Sequence, residues 1–194
     1  MKYLFFPLVI LFFSIRYRDI SDKDCISVPP GGISGFWYSI SKIKELDKKE
    51  YFCASSGCLV VVSNQLDLKT VYNIAKFSRD NFNSIGDIKN NFIDSIVKRI
   101  KNIPNVSIVT MNKFGTCIER KPLDKKQLKT LLIKTTDIPF LIKNTFGEID
   151  GGICYHYMNQ CKSKIILPHN RKFLLNLFNP YISQEDLRYF YNYR

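Results

Sequence analysis

Residues 51–57, with the sequence YFCASSG, place two serines between short apolar runs and constrain the fold more than any other part of the chain. A second apolar run, Cys58-Leu59-Val60-Val61-Val62, follows directly. A strand that turns sharply into a helix has this pattern, and small residues at the corner let the two elements approach closely. Ser55 has a glycine two positions later, as in the G-x-S-x-G turn, whereas Ser56 does not. We therefore predict Ser55 at the corner, although Ser-Ser-Gly also occurs in ordinary turns.

A similar strand, turn and helix precede this segment. Residues 25–28 predict a strand that Pro29 and Pro30 end, and a glycine-rich turn at 31–35 leads into a helix at 36–46. The order strand, helix, strand, helix predicts an α/β domain with three layers, α/β/α, around a central, mostly parallel sheet. The further predicted elements are helices at 68–82, 92–103 and 126–134, strands at 105–111, 115–120 and 164–167, a strand end with a tight turn at 146–152, and a helical segment at 171–194.

The composition is that of one globular domain. The chain has 194 residues, of which 45% are hydrophobic and 24% charged, and its formal net charge is +12. A basic balance favours anionic partners such as acidic lipid headgroups or nucleic acid. The lysines are scattered and form no single block, so we expect no nucleic-acid partner.

The six cysteines show no C-x-x-C pair, and only His156 and His169 could join them as metal ligands. We therefore expect no metal site. An even number of cysteines permits disulfides in an oxidising compartment, but the sequence alone favours buried free thiols.

Residues 3–15, YLFFPLVILFFSI, form an unbroken apolar run that Arg16 and Arg18 close. The run is shorter than the ~20 residues of a spanning helix and has the length of a signal or anchor segment. We therefore predict that residues 1–18 direct the chain to a membrane and that 19–194 form the domain. The alternative is that the run is a buried first element of the core.

Three motifs stand in a fixed order: the glycine turn at 31–35, the serine turn at 53–57 and Asp150-Gly151-Gly152. In this order they resemble the patatin-like phospholipase family, which has a G-G-G-x-[KR]-G turn, a G-x-S-x-G elbow and an Asp-Gly-Gly or Asp-Gly-Ala turn. The resemblance covers about residues 25–155. The chain departs from the family at Pro30, Ser34 and Cys53, where the family has glycine, a basic residue and glycine.

The resemblance implies a Ser–Asp dyad in which Ser55 is the nucleophile and Asp150 the base. It also implies an oxyanion hole formed by backbone N–H groups of Gly31, Gly32 and Ser56. Gly35, Gly57, Gly151 and Gly152 complete the motifs. Ser55, Asp150 and His169 also follow the Ser-Asp-His order of α/β-hydrolases, but His169 lies in a polar stretch where we expect a solvated loop residue.

The predicted function is hydrolysis of lipid acyl esters, phospholipids in particular, by a membrane-associated serine esterase that uses no metal or organic cofactor. The alternative is a membrane-associated binding or structural protein on a hydrolase scaffold that has lost activity, which the three departures favour. Nucleic-acid binding is a third possibility that rests on charge alone.

Overall fold

The computed structural model describes residues 23–44, 50–138 and 147–192, with the side chains of 155–157 excepted. The predicted membrane-directing segment, residues 1–18, lies outside the described residues. Within the described ranges, none of the helices has both the length and the apolar character needed to cross a bilayer.

The order of elements confirms the predicted α/β class. The strands and helices in chain order are β1 (Lys23–Val28), α1 (Gly32–Ile43), β2 (Tyr51–Ala54), α2 (Ser56–Ser63), α3 (Leu68–Asn81), α4 (Ile85–Arg99), β3 (Val106–Asn112), β4 (Cys117–Arg120), α5 (Lys125–Thr135), β5 (Glu148–Ile149), a 3-10 helix (Gly151–Asn159), β6 (Cys161–Lys164), α6 (Arg171–Leu175) and α7 (Gln184–Asn192).

The sheet is mostly parallel, and its strand order is β4-β3-β2-β1-β6. The strands β6, β1, β2 and β3 pair in parallel, whereas β4 and the short β5 both pair with β3 in antiparallel fashion. The helical crossovers that parallel pairing requires are α1 between β1 and β2, and α2, α3 and α4 between β2 and β3. The carboxyl ends of β1, β2 and β3 therefore meet at one edge of the sheet, which we call the carboxyl edge.

The two faces of the sheet carry cores of different size. The larger core packs inward-facing strand residues such as Ile26, Val28 and Ile108 against the long helices. The smaller core lies on the other face, where Phe52, Ala54 and Val109 pack against the 3-10 helix. The alternation of Cys53 and Phe52 between the two cores follows from the period of two in a strand.

Three element boundaries differ clearly from the sequence prediction. Helix α1 begins at Gly32 and not at residue 36, so that most of the predicted glycine-rich turn at 31–35 is the first turn of the helix. Helix α4 begins at Ile85 and not at residue 92, because the Ser84 side chain accepts a hydrogen bond from the Asp87 N–H and caps the helix. The last strand covers Cys161–Lys164, whereas we predicted 164–167, because pairing with β1 decided its position. The predicted C-terminal helical segment is confirmed as two helices, α6 and α7.

The expectation of free thiols is wrong. Three disulfides join Cys25 to Cys161, Cys53 to Cys58, and Cys117 to Cys154, and no described cysteine is free. The pairing depends on tertiary structure: the partners are separated by 136, 5 and 37 residues. Spacing alone could not indicate the two long-range bonds.

Candidate active site

Ser55 lies at the junction of β2 and α2, as predicted from the small residues at this corner. Its backbone has φ 52° and ψ −134°, and it is the only non-glycine residue with positive φ in the described part of the chain. A backbone of this kind costs about 1–3 kcal/mol and persists only where the surroundings enforce it. Gly57 permits the close approach, since a Cβ atom there would lie 2.2 Å from the carbonyl oxygen of Val28.

The structure brings Ser55 and Asp150 into direct contact. The Ser55 hydroxyl donates a hydrogen bond of 2.9 Å to the Oδ2 atom of Asp150. The two residues are separated by 95 positions in the sequence, and both are buried, with 7% and 8% exposure. A serine hydroxyl within hydrogen-bond reach of a carboxylate is the arrangement that a nucleophile and its general base require.

The environment of Asp150 adjusts its basicity. Burial raises the pKa of Asp150 to about 6, although hydrogen bonds from the Gly152 N–H and the Ser55 hydroxyl favour the charged form. The Gly152 N–H donates to Oδ1 at 2.6 Å, so that each carboxylate oxygen of Asp150 has one donor. A carboxylate with a pKa close to the working pH accepts a proton more readily than one with the usual value.

Three ion pairs hold the segments that support the backbone of Asp150 on its N-terminal side. The Asp150 N–H donates to the Asp137 carbonyl oxygen at 2.9 Å, and the Asp137 carboxylate pairs with Lys89 of α4. Glu148 of β5 accepts hydrogen bonds from Arg120 and Lys134 at 2.6 and 2.9 Å. Although burial opposes it, these contacts and one from Thr110 lower the pKa of Glu148 to about 2. These contacts therefore hold the backbone that leads into Asp150.

Thr135, the last residue of α5, links the serine turn to the sheet. The Ser55 N–H donates to Thr135 Oγ1 at 2.9 Å, and that hydroxyl donates to the Val109 carbonyl oxygen at 2.5 Å. Thr135 is fully buried. Gly151 lies against the same carbonyl group, since a Cβ atom there would be 1.9 Å from it. The Thr135 hydroxyl therefore links the strained turn to β3 through two hydrogen bonds.

The predicted oxyanion donors differ in their availability. The Gly31 N–H donates to the Ser56 hydroxyl at 3.0 Å and is therefore engaged within the protein. Among the described residues, no acceptor bonds the N–H groups of Gly32 or Ser56, the first residues of α1 and α2. Unpaired N–H groups at helix N-termini stabilise negative charge. Gly32 and Ser56 therefore remain as candidate donors, and Ser56 also holds the glycine turn through its side chain.

The three departures from the family motifs have structural explanations. Ser34 is buried and donates to the Phe173 carbonyl oxygen at 2.9 Å, so this position fastens α6 to α1. Pro30 packs beside Gly152: a Cβ atom added to Gly152 would lie 3.1 Å from the Cβ atom of Pro30. Cys53 bonds to Cys58 across the serine turn. Gly35, in contrast, has an ordinary helical role, because its N–H donates to the Gly31 carbonyl oxygen at 2.8 Å.

An apolar cavity opens beside Ser55. Its walls come from α1 to α4 and from the segment between α6 and α7, and Ser55 and Ser56 form part of its floor. The apolar side chains that line it include Phe36, Trp37, Leu59, Phe92, Leu177 and Ile182. Lys76, Arg79 and Lys89 contribute the cationic groups. The cavity can therefore receive a long apolar group with its polar end at Ser55.

His169 is exposed, as predicted, in the segment between β6 and α6. The side chain of His156 lies outside what the structure describes. Within the described ranges, the structure has no group of three or more His, Cys, Asp or Glu residues placed to hold a metal ion.

Comparisons with known proteins do not assign the chain. No protein-family model matches the sequence, and no curated protein matches it. The case for function therefore rests on the geometry of the site.

Sequence reasoning missed Thr135, Lys89 and Asp137. Thr135 ends an amphipathic helix in which its hydroxyl carries no distinct signal, and Lys89 is one of many scattered lysines. The bond between Cys53 and Cys58 had a signal, because two cysteines flank the serine turn and an apolar N-terminal run is typical of exported proteins.

Proposed function

We propose that the protein is a patatin-like lipid acyl hydrolase that uses Ser55 as nucleophile and Asp150 as base. The observation that carries the proposal is the 2.9 Å hydrogen bond from the Ser55 hydroxyl to the buried Asp150 carboxylate, at a strained strand-to-helix turn. The resemblance of the three motifs to the family supports the same assignment.

The proposed reaction has two steps. Ser55 Oγ attacks the ester carbonyl carbon while its proton passes to Asp150, and the resulting oxyanion lies near the N–H groups of Gly32 and Ser56. The carbon–oxygen bond to the alcohol then breaks, and Asp150 returns the proton to the departing alcohol. Water attacks the acyl-Ser55 ester, again losing a proton to Asp150. The carboxylic acid leaves, and Ser55 recovers its proton.

The proposed substrate is a phospholipid or another acyl lipid. The apolar cavity beside Ser55 fits an acyl chain, and Lys76 and Arg79 lie where an anionic headgroup could be accommodated. No cofactor is needed for this chemistry. We also propose that the protein is associated with a membrane through residues 1–18, and the three disulfides support passage through an oxidising compartment.

The proposal is tested with a fluorophosphonate probe and a soluble short-chain ester. We expect the wild-type protein to be labelled at Ser55, and Ser55→Ala to lose labelling and at least 1000-fold in kcat/KM, on the scale known for serine nucleophiles. Ser41→Ala is the matched control, because within the described part of the chain that hydroxyl bonds only to the Tyr38 carbonyl oxygen of its own helix.

Ser56→Ala is expected to have an intermediate effect. Its hydroxyl supports the Gly31 turn, while the Ser56 N–H is retained. Wild-type protein that is folded but neither labelled nor active would refute the hydrolase. That result would favour the alternative, a membrane-associated protein on a hydrolase scaffold that has lost activity.

A further inference from the structure

The exposed large apolar side chains are concentrated at the carboxyl edge of the sheet. Two lie on the helices that flank the turn between α3 and α4, Phe77 near the end of α3 and Ile85 at the start of α4. Besides Tyr181, four lie between β6 and α7, at positions 166, 174, 175 and 178. Both regions lie at this edge, because α4 leads down to the start of β3, and β6 runs parallel to β1. We call the six residues Phe77, Ile85, Ile166, Leu174, Leu175 and Phe178 the apolar rim.

The apolar rim is continuous with the mouth of the cavity. Ile85 and Phe178 are exposed to solvent and also line the cavity, from α4 and from the segment after α6. The Ile33 N–H donates to the Leu177 carbonyl oxygen at 2.7 Å, which fastens that segment to the start of α1 beside Ser55. The outer apolar surface therefore leads into the same cavity that Ser55 lines.

Cationic side chains accompany the apolar rim. Lys76 and Arg79 lie three positions apart on α3 and line the cavity, and Arg171 precedes the exposed leucines on α6. Arg79 is paired with Asp80, and Lys172 with Asp186, so the local charge is mixed, although the whole chain has a net charge of +12. Exposed apolar groups next to cations are typical of surfaces that insert into the headgroup layer of an anionic membrane.

We propose that the apolar rim docks on a lipid surface containing anionic headgroups, so that the mouth of the cavity faces the bilayer. This inference rests on the proposed function and adds the surface through which the lipid would reach Ser55. Leu174 and Leu175 are 60% and 71% exposed on α6, and neither lines the cavity. Adjacent exposed leucines of this kind are typical of a surface that binds a partner or a membrane. Docking removes this apolar area from water and brings an acyl ester to Ser55 without passage through solvent.

The first test measures amide hydrogen exchange of full-length Ser55→Ala protein with and without vesicles. The vesicles contain equal parts of phosphatidylglycerol and phosphatidylcholine. We expect slower exchange in residues 174–182 and at the α3–α4 turn, and no change around Leu123. Leu123 is 81% exposed but follows β4, which ends at the opposite edge of the sheet. Unchanged exchange in residues 174–182, or equal slowing around Leu123, would overturn the docking surface.

The anionic part of the proposal is tested with vesicles of phosphatidylcholine alone and with inorganic phosphate. We expect weaker protection with the zwitterionic vesicles and none with free phosphate. Equal protection by both vesicle types would refute the requirement for anionic headgroups. Slower exchange with free phosphate but not with vesicles would mean that the cationic side chains bind a soluble anion, and it would overturn the docking surface.

The second test compares hydrolysis of vesicle lipid with hydrolysis of a soluble ester by the same protein. In the double variant Leu174→Asp/Leu175→Asp, we expect the vesicle rate to fall at least tenfold relative to the soluble-ester rate, whereas in Leu123→Asp the ratio stays at the wild-type value. The variant Leu174→Ser/Leu175→Ser answers the question if the aspartates prevent folding. An unchanged ratio in either double variant would contradict the docking surface. Absence of any ester hydrolysis by wild-type protein would instead refute the proposed function, while the exchange experiment still decides the docking.

Discussion

At the scale of single residues, the site combines a strained serine with a buried carboxylate. Ser55 adopts positive φ although it is not glycine, and Asp150 is 8% exposed while its pKa is raised to about 6. Each feature is unfavourable for folding taken alone. Their occurrence in two residues that hydrogen-bond to each other is typical of a functional site, since strain and shifted pKa values concentrate there.

The raised pKa of Asp150 predicts how stability and activity depend on pH. The folded-state pKa of about 6 exceeds the ordinary aspartate pKa of 3.8, so the folded protein binds this proton more tightly than the unfolded chain. The stabilisation is complete below pH 3.8 and is lost as the pH rises through 6. A difference of about two pKa units corresponds to about 3 kcal/mol in the free energy of unfolding.

The variant Asp150→Asn lacks this titration. We therefore expect it to become more stable relative to wild type by about 3 kcal/mol between pH 3.5 and 7.5, measured by urea unfolding. Its activity should fall nearly as far as that of Ser55→Ala, because an amide cannot accept the proton. In the wild type, kcat/KM should rise with a midpoint near pH 6. The exposed Asp80→Asn serves as control; a parallel stability difference in that variant would show that Asp150 is not the source.

At the scale of elements, the serine turn depends on contacts from α5 and β3. Thr135 accepts from the Ser55 N–H and donates to the Val109 carbonyl oxygen, so one hydroxyl satisfies two buried backbone groups. Neither β2 nor α2 supplies a partner for that N–H among the hydrogen bonds of the described residues. The strained backbone of Ser55 is therefore held from outside its own two elements.

The variant Thr135→Val removes both hydrogen bonds and keeps the side-chain shape. We expect a loss of about 1–3 kcal/mol in unfolding free energy, because buried polar groups lose their partner. We also expect kcat/KM to fall roughly 10- to 100-fold through misplacement of Ser55, with the midpoint of the pH profile unchanged. Thr130→Val on the same helix is the matched control, since that exposed hydroxyl bonds, among the residues that the structure describes, only to the Lys126 carbonyl oxygen. Equal losses in both variants would show a general effect on α5.

At the scale of the whole molecule, the sequence pattern predicted the α/β class, and the resemblance of the three motifs implied that Ser55 and Asp150 lie together. Neither predicted which residues hold them in place. The periodicity of apolar residues and the turn residues act locally, so β2, α2 and α3 could be located closely. Thr135, Asp137 and the disulfide partners act between segments far apart in the chain. Their positions depend on sheet pairing, which no local pattern contains. The start of α4 was missed for another reason, since the Ser84 cap outweighed the weak apolar pattern of the first turns.

The disulfides give the last prediction, which distinguishes global stability from the geometry of the site. Cys25–Cys161 joins β1 to β6 over 136 residues, whereas Cys53–Cys58 closes a separation of 5 residues around Ser55. Loop entropy alone assigns about 5 kcal/mol to the first bond and about 2 kcal/mol to the second. The longer bond should therefore matter more for stability, and the shorter one more for activity, because it spans the strained turn.

We expect Cys25→Ser/Cys161→Ser to lower the unfolding free energy by several kcal/mol, with near-normal kcat/KM in the molecules that remain folded. Cys53→Ser/Cys58→Ser should lose less stability but at least tenfold in kcat/KM, because no covalent bond then joins β2 to α2 across the turn that positions Ser55. Urea unfolding and soluble-ester kinetics measure the two effects. Mass spectrometry of the unreduced wild-type protein after alkylation checks the bonds themselves, because alkylation of all six cysteines would contradict the disulfides. A larger loss of activity in Cys25→Ser/Cys161→Ser than in Cys53→Ser/Cys58→Ser would contradict the role assigned to the Cys53–Cys58 bond.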